Sequence, residues 1–315
     1  MKLADVIALL APGQGAQNPG MLTPWLDDPV ARETLARWSA STGLDLERLG
    51  TTAEAEEIKA TAVTQPLVVA ASLLAFASLT ARVTLPPLIA AGHSVGELAA
   101  AAVAGVLDPD AAVALAAVRG REMAAACARV PTGMSAVLGG KPQDVLDRLE
   151  ELGLDPANRN GAGQVVAAGA VDALDALAAA PPERARVVPL SVAGAFHTRF
   201  MAPAEERLGR HASAVTPADP VHTLLSNADG AVVTDGADAL RRLVAQVTRP
   251  VRWDACQETL RERGVVALIE LPPAGTLVGL AKRELRGTPA LALRSPDDLD
   301  AAVELLTPDS AGSRT

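Results

Sequence analysis

The chain has 315 residues, of which 49% are hydrophobic and 21% charged, with a formal net charge of −9. That length and balance predict a globular protein with a substantial core, built as one large domain or two unequal ones. The acidic balance argues against nucleic acid as the main partner, because phosphate binding needs a basic footprint.

Aromatic residues make up only 2% and tyrosine is absent, so alanine, leucine and valine must do most of the packing. Cys127 and Cys256 lie far apart and outside any metal-ligand spacing. They predict a reducing compartment, with no disulfide framework and no metal site. The opening "MKLADVIALLAPGQGAQ" lacks a secretory apolar core with a cleavage site, so the expected location is the cytoplasm.

In chain order, residues 6 to 11 read as a buried strand entering the glycine-rich loop "PGQGAQNPG". Helical patterns follow at 29 to 42 and 53 to 59. A longer helix is expected to begin near Gln65, and the apolar stretch from Ala62 to Thr80 reads as buried, not membrane-spanning. "LPPLIAAGHS" predicts a strand ending at Ser94, and "VGELAAAAVAG" a helix stopped by Gly105. An aspartate and a proline open the next helix, "DPDAAVALAAVRGREMAAACAR". Over roughly 130 to 194 the order becomes β-α-β-β-α-β, the pattern of a ferredoxin-like subdomain. Helix and strand then alternate again, and the tail "TPDSAGSRT" is expected to be disordered. A cleft between an α/β core and a small insertion is the expected ligand site.

The segment "GHSVG" has the G-x-S-x-G form of a nucleophile elbow between a strand and a helix. By itself it also fits a glycine-lined packing turn. A nucleophilic Ser94 needs a base, and there are four histidines. His93 adjoins the serine and should point away from it, His211 lies in a polar helical stretch, and His222 precedes an apolar run. His197, at the joint between the subdomains, is the best placed, although position alone suits a structural histidine as well. The loop "APGQGAQ" offers backbone amides to an oxyanion or a phosphate, without the spacing of a nucleotide-binding motif. Arg119 lies in an apolar helical run and needs an anionic partner, either a protein carboxylate or one on a substrate.

Together these landmarks resemble the malonyl-CoA:acyl carrier protein transacylases, stand-alone relatives of polyketide synthase acyltransferase domains. The resemblance rests on "GQGAQ" at 13 to 17, "TQPLVVA" at 64 to 70, "GHSVGE" at 92 to 97, Arg119, and "NGAGQVVAAG" at 160 to 169. It continues through "GAFH" at 194 to 197, "QVTRPVRW" at 246 to 253 and "LPPAGTLVGLAKR", in order along nearly the whole chain. It implies a hydrolase-like α/β core with a parallel sheet (1–129 and 195–315) and a ferredoxin-like insertion (130–194). It implies Ser94 as the acylated nucleophile, His197 as its base, and a main-chain carbonyl near Gln246 orienting that base. It assigns the amides of Gln14 and Val95 to an oxyanion hole and Arg119 to the malonyl carboxylate. Asn160, Gln164 and Arg186 match positions along the path of the coenzyme A or phosphopantetheine arm. Val95 and Phe196 match malonyl-type relatives, while Gly194 departs from the H-A-F-H form of that pattern.

The implied reaction is malonyl transfer from malonyl-CoA to an acyl carrier protein, for fatty acid or polyketide synthesis. It calls for no cofactor or metal, and no nucleic acid or membrane partner; a monomer is expected. Lys282 and Arg283, with Arg286, are the local positive charge expected to meet an acidic carrier. The rival readings are an acyl-thioester hydrolase on the same scaffold and a catalytically silent docking module. A buried Arg119 speaks against a general esterase, and intact Ser94 and His197 against a silent module.

Overall fold

The computed structural model describes residues 6–307; the tail expected to be disordered lies, apart from Thr307, outside them. Strand β1 (Val6–Ala11) is apolar at every position and buried from Ile7 onward, as a central parallel strand must be. Helix α1 (Pro29–Thr42) matches the predicted span. The Asp28 side chain caps it by accepting the Val30 N–H, and Gly43 ends it at φ 73°.

The expected helix at 53 to 59 is shorter, α3 (Ala55–Ile58), and an unforeseen α2 (Leu46–Thr51) precedes it, capped by Asp45. Helix α4 (Thr61–Thr80) starts before the predicted Gln65, so Pro66 lies inside it. Its extra turn is held by burial of Thr61, Thr64 and Gln65, with the Thr64 hydroxyl donating to the Ile58 carbonyl. It is long and apolar enough to cross a membrane, but it packs within the core.

Strand β2 (Leu88–Gly92) stops two residues short of the predicted Ser94, which falls in the turn before α5 (Gly96–Val103). Helix α6 (Pro109–Cys127) begins as expected, with the Asp108 side chain accepting the Asp110 N–H at 2.8 Å. Next come β3 (Thr132–Gly139), α7 (Pro142–Glu151), β4 (Asp155–Gly161), β5 (Gln164–Ala170), α8 (Val171–Ala179) and β6 (Ala185–Pro189). The chain continues through α9 (Ala202–Ala212), β7 (Thr223–Leu225), β8 (Val232–Val233), α10 (Gly236–Ala245) and β9 (Val251–Arg252). It closes with α11 (Trp253–Glu262), β10 (Val265–Glu270), α12 (Thr276–Glu284), β11 (Ala290–Ala292) and α13 (Leu299–Leu306).

Two sheets result. The six-stranded sheet has the order β11-β10-β1-β2-β7-β8, parallel throughout except for the edge strand β8. The five-stranded sheet has the order β6-β3-β5-β4-β9, antiparallel within the inserted segment. Its last strand, β9, comes from the chain after the insertion and pairs parallel to β4.

Register decides where the site falls. Ala11 pairs with Gly92 and Leu10 with Glu270, so three parallel strands end side by side. The loops leaving their carboxyl ends therefore meet in one place, where ligands of open α/β sheets bind. The turn after β10 is held by Glu270, a fully buried carboxylate. It accepts the N–H groups of Gly275, Leu277 and Val278 at 2.9, 3.0 and 2.9 Å, fixing the start of α12. Burial raises its pKa, and those same amides draw it back. Glu270→Ala orphans these buried donors and should lower stability by about 3 kcal/mol or more, measured as a fall in the urea midpoint.

Candidate active site

The turn between β2 and α5 is closed by two glycines at van der Waals limits. A Cβ on Gly92 would meet the Gly96 carbonyl at 2.1 Å, and one on Gly96 would meet the Ala11 carbonyl oxygen at 2.2 Å. The turn thus presses against the end of β1, and Ser94 at its apex takes φ 54°, a left-handed conformation costly for a residue with a side chain. Its hydroxyl faces a cavity of about 490 Å³ walled on one side by the large sheet's loops and on the other by β3, β4 and β5.

His197 reaches the serine from an irregular segment after β6, itself at φ 60°. Its Nε2 lies 2.7 Å from Ser94 Oγ, and its Nδ1 lies 2.8 Å from the Gln246 carbonyl oxygen. A carbonyl only accepts, so Nδ1 carries the proton and Nε2 is free to take one from the serine. The ring is 3% exposed. Burial, then the nearby Arg119 charge, lowers its pKa to about 3, so it is neutral at physiological pH.

Arg119 reaches the same point from α6 and is 2% exposed. It donates to Gln65 Oε1 at 2.6 Å, to Gln246 Oε1 at 2.8 Å and to Ser94 Oγ at 3.3 Å. Among the described residues it makes no direct ion pair with a carboxylate, so neutral oxygens surround it. Burial lowers its pKa to about 10, opposed by attraction to Glu97, and it stays charged.

The amides of Gln14 and Val95 have no hydrogen-bond acceptor among the described residues, whereas the Ser94 amide is taken by Asn227 Oδ1 at 2.8 Å. Gln14 lines the cavity, and Val95 follows Ser94 in the turn. Phe196, 7% exposed, closes the cavity next to His197. Asn160 and Gln164 line the opposite wall, with Asn160 Oδ1 held 2.9 Å from His93 Nε2. His93 lines the same cavity, but its ring is engaged by Asn160 and stands edge-on to Trp253 at 5.7 Å, with no bond to the Ser94 hydroxyl. His211 is exposed and His222 half-buried, both outside the cavity.

Not every expected residue reaches the cavity. Arg283 lines it, while Lys282 on the same helix end and Arg286 in the turn beyond it are exposed and do not. Arg186 is exposed on β6 and absent from the wall; its strand position aligns with Leu138, which aligns with Gln164, so it lies at the outer end of the same sheet face. Four contributors went unforeseen: Gln65 beside Arg119, Asn158 in the wall, and Asn227 and Glu97 beneath the turn. The signal for Asn227 was the polar pair Ser226-Asn227 after the strand "TLL", and for Gln65 a polar side chain within a buried apolar helix. No group of three side chains suited to a metal ion occurs among the described residues.

Fold and site together define an α/β protein with a serine–histidine pair and a buried arginine facing one cavity. Residues 9–303 match the acyl transferase domain family, and the chain belongs to it. It is 61% identical to the malonyl CoA-acyl carrier protein transacylase of Mycobacterium tuberculosis, over 95% of this chain and 100% of that protein. The enzyme of the same name from Escherichia coli K12 is 35% identical over 95% of this chain and 99% of its own. The crystal structure of MCAT from Mycobacterium tuberculosis superposes with a TM-score of 0.91 at 59% identity, covering 95% of this chain and 99% of that one. A type II PKS acyl-carrier protein in complex with its malonyl-transacylase provides a further match, at TM-score 0.88 and 32% identity, covering 95% and 99%.

The closeness at the turn sets a stability test. Gly96→Ala drives a methyl into the end of β1 and should cost about 2 kcal/mol or more, seen in urea titration.

Proposed function

We propose that the protein transfers the malonyl group of malonyl-CoA to the phosphopantetheine thiol of an acyl carrier protein, through an ester on Ser94. The observation that carries this reading is Arg119: a buried guanidinium, paired only with neutral oxygens, 3.3 Å from Ser94 Oγ. A permanently charged group in that setting gains most from an anionic ligand, and the planar fork suits a carboxylate bidentately. The names of the relatives point the same way.

In the first half-reaction His197 Nε2 takes the Ser94 proton as Oγ bonds to the thioester carbonyl carbon. The Gln14 and Val95 amides hold the oxyanion. The C–S bond then breaks, and the departing coenzyme A sulfur takes the proton from His197. The second half runs in reverse: the carrier's thiol gives its proton to His197, its sulfur attacks the ester, and Ser94 regains the proton. A thioester is made for each one broken, so the exchange calls for neither metal nor nucleotide. The Gln246 carbonyl steadies the imidazolium as it forms, the part an aspartate plays in a full triad. Phe196 limits branching at the acyl C2. Asn160 and Gln164 lie along the arm, with Arg186 at its outer end, and Arg283 with Lys282 beside the mouth offers positive charge to an acidic carrier.

The same reading treats the parallel sheet, 1–129 and 195–315, as a hydrolase-like core, and 130–194 as a ferredoxin-like subdomain. Support comes from the strand order β6-β3-β5-β4, in which the first strand of the segment lies between its fourth and third.

Incubation with malonyl-CoA should give a single malonyl adduct by intact mass, located on Ser94 and absent in Ser94→Ala. Release of free malonate at the rate of transfer would mark a hydrolase instead. Arg119→Ala removes one partner of a buried ionic contact, a loss of about 2–5 kcal/mol, so kcat/KM for malonyl-CoA should fall about 30-fold to several thousand-fold. Acetyl transfer should fall far less. Parallel losses with the fold intact would remove Arg119 as the carboxylate reader.

A further inference from the structure

Beneath the Ser94 turn lies a carboxylate that the reaction above does not use. Glu97, in the first turn of α5, is 4% exposed. Its Oε1 accepts the Asn227 N–H at 2.6 Å, and its Oε2 accepts from Gln246 Nε2. That nitrogen also donates to the Ser94 carbonyl at 3.0 Å, while the other end of the same amide, Gln246 Oε1, accepts from Arg119 at 2.8 Å. Asn227 extends the set: its Oδ1 takes the Ser94 N–H at 2.8 Å and its Nδ2 donates to the Gly92 carbonyl at 2.7 Å.

The chemistry of the two ends leaves the amide one orientation. An ionised carboxylate only accepts and a guanidinium only donates, so Gln246 must turn its NH₂ to Glu97 and its oxygen to Arg119. A direct Glu97–Arg119 ion pair would occupy the fork that a substrate carboxylate needs. One amide between them keeps the Glu97 countercharge close to the buried arginine and leaves the fork facing the cavity.

We infer that Glu97 is a positioning residue for substrate discrimination, acting through the side chain of Gln246 to hold Arg119 ready for an acyl carboxylate. The inference rests on the reading of Arg119 given above. It extends the machinery to a group that touches neither substrate nor reacting atoms.

Glu97→Gln keeps the shape but turns one acceptor into a donor. Either the Asn227 N–H loses its partner and its hold on the Ser94 turn weakens, or Gln246 faces a new donor and is driven to present its NH₂ to Arg119. Malonyl-CoA KM should rise about 10-fold or more while kcat changes by less than about 3-fold, and the malonyl-to-acetyl ratio of kcat/KM should fall about 10-fold. Equal losses for both substrates, or an unchanged ratio, overturn the inference.

A second measurement needs no variant. Burial raises the Glu97 pKa to about 7, against the pull of Asn227, Gln246 and Arg119. The charged and titratable groups facing it are Arg119 of α6, lowered to about 10, and Cys256 of α11, pushed up by burial; His197, which faces Arg119 and not Glu97, is lowered to about 3. None of these changes charge between about pH 6 and 8, and a malonyl carboxylate stays ionised there. As pH falls through 7, Glu97 gains a proton and becomes a donor, so the ratio in the unaltered protein should fall towards that of the variant. A flat ratio overturns the inference even if Glu97→Gln does not fold. Arg119→Ala, measured alongside, separates the two readings. If it leaves the ratio unchanged, both fail; if it collapses the ratio and Glu97→Gln does not, only the role of Glu97 fails.

Discussion

The turn that carries Ser94 runs against the end of β1 with no room for a side chain at either flanking glycine. This steric limit is what the rest of the site is arranged around. It fixes the left-handed backbone at Ser94, turns the hydroxyl away from the sheet, and brings the Gln14 loop to the same edge. The strain is held from below: Asn227 takes the Ser94 amide and ties it to the Gly92 carbonyl, while Gln246 Nε2 donates to the Ser94 carbonyl, so the apex is bonded on both sides of the serine. A site made this way is set by backbone geometry before any substrate arrives.

On that frame the electrostatics follow from burial. His197 and Arg119 are almost wholly withdrawn from water, and the same withdrawal has opposite uses in the two. For the imidazole it favours the neutral ring, the form that accepts a proton. For the guanidinium it cannot remove the charge, because the group's basicity is too high, so the charge is left with little to answer it. Gln246 serves both: its main chain orients the base and its side chain steadies the cation. Two contacts thus pass through one residue in a short helical turn after α10, one through its main chain and one through its side chain.

Much of this was legible in the sequence, and the remainder was hidden for physical reasons. The helical pattern at 29 to 42 located α1, and an aspartate and a proline located the start of α6, because such signals are local. The start of α4 was missed because Pro66 marks a helix opening locally, whereas contacts made by Thr61, Thr64 and Gln65 extended the helix backwards. At the site, "GHSVG" carried its own backbone logic. Gln65, Asn227 and Glu97 did not, since each acts through partners between 54 and 149 residues away. Nor could spacing decide what answers Arg119: the sequence allowed a protein carboxylate, and the fold supplies neutral amides with the carboxylate one residue further out.

The two-residue strand β9 ties the inserted segment to the rest of the chain. It extends the smaller sheet beside β4, its Arg252 amide donates to the Asn227 carbonyl at 2.8 Å, and Gln257 in the next helix holds the Asn160 carbonyl at 2.9 Å. The far wall of the cavity is therefore stitched to the residue that grips the serine's own amide. Opening the two halves like a clamshell would tear main-chain bonds on the catalytic side, so the gap between them behaves as a slot of fixed gauge. A gap of fixed gauge selects by width whatever enters it.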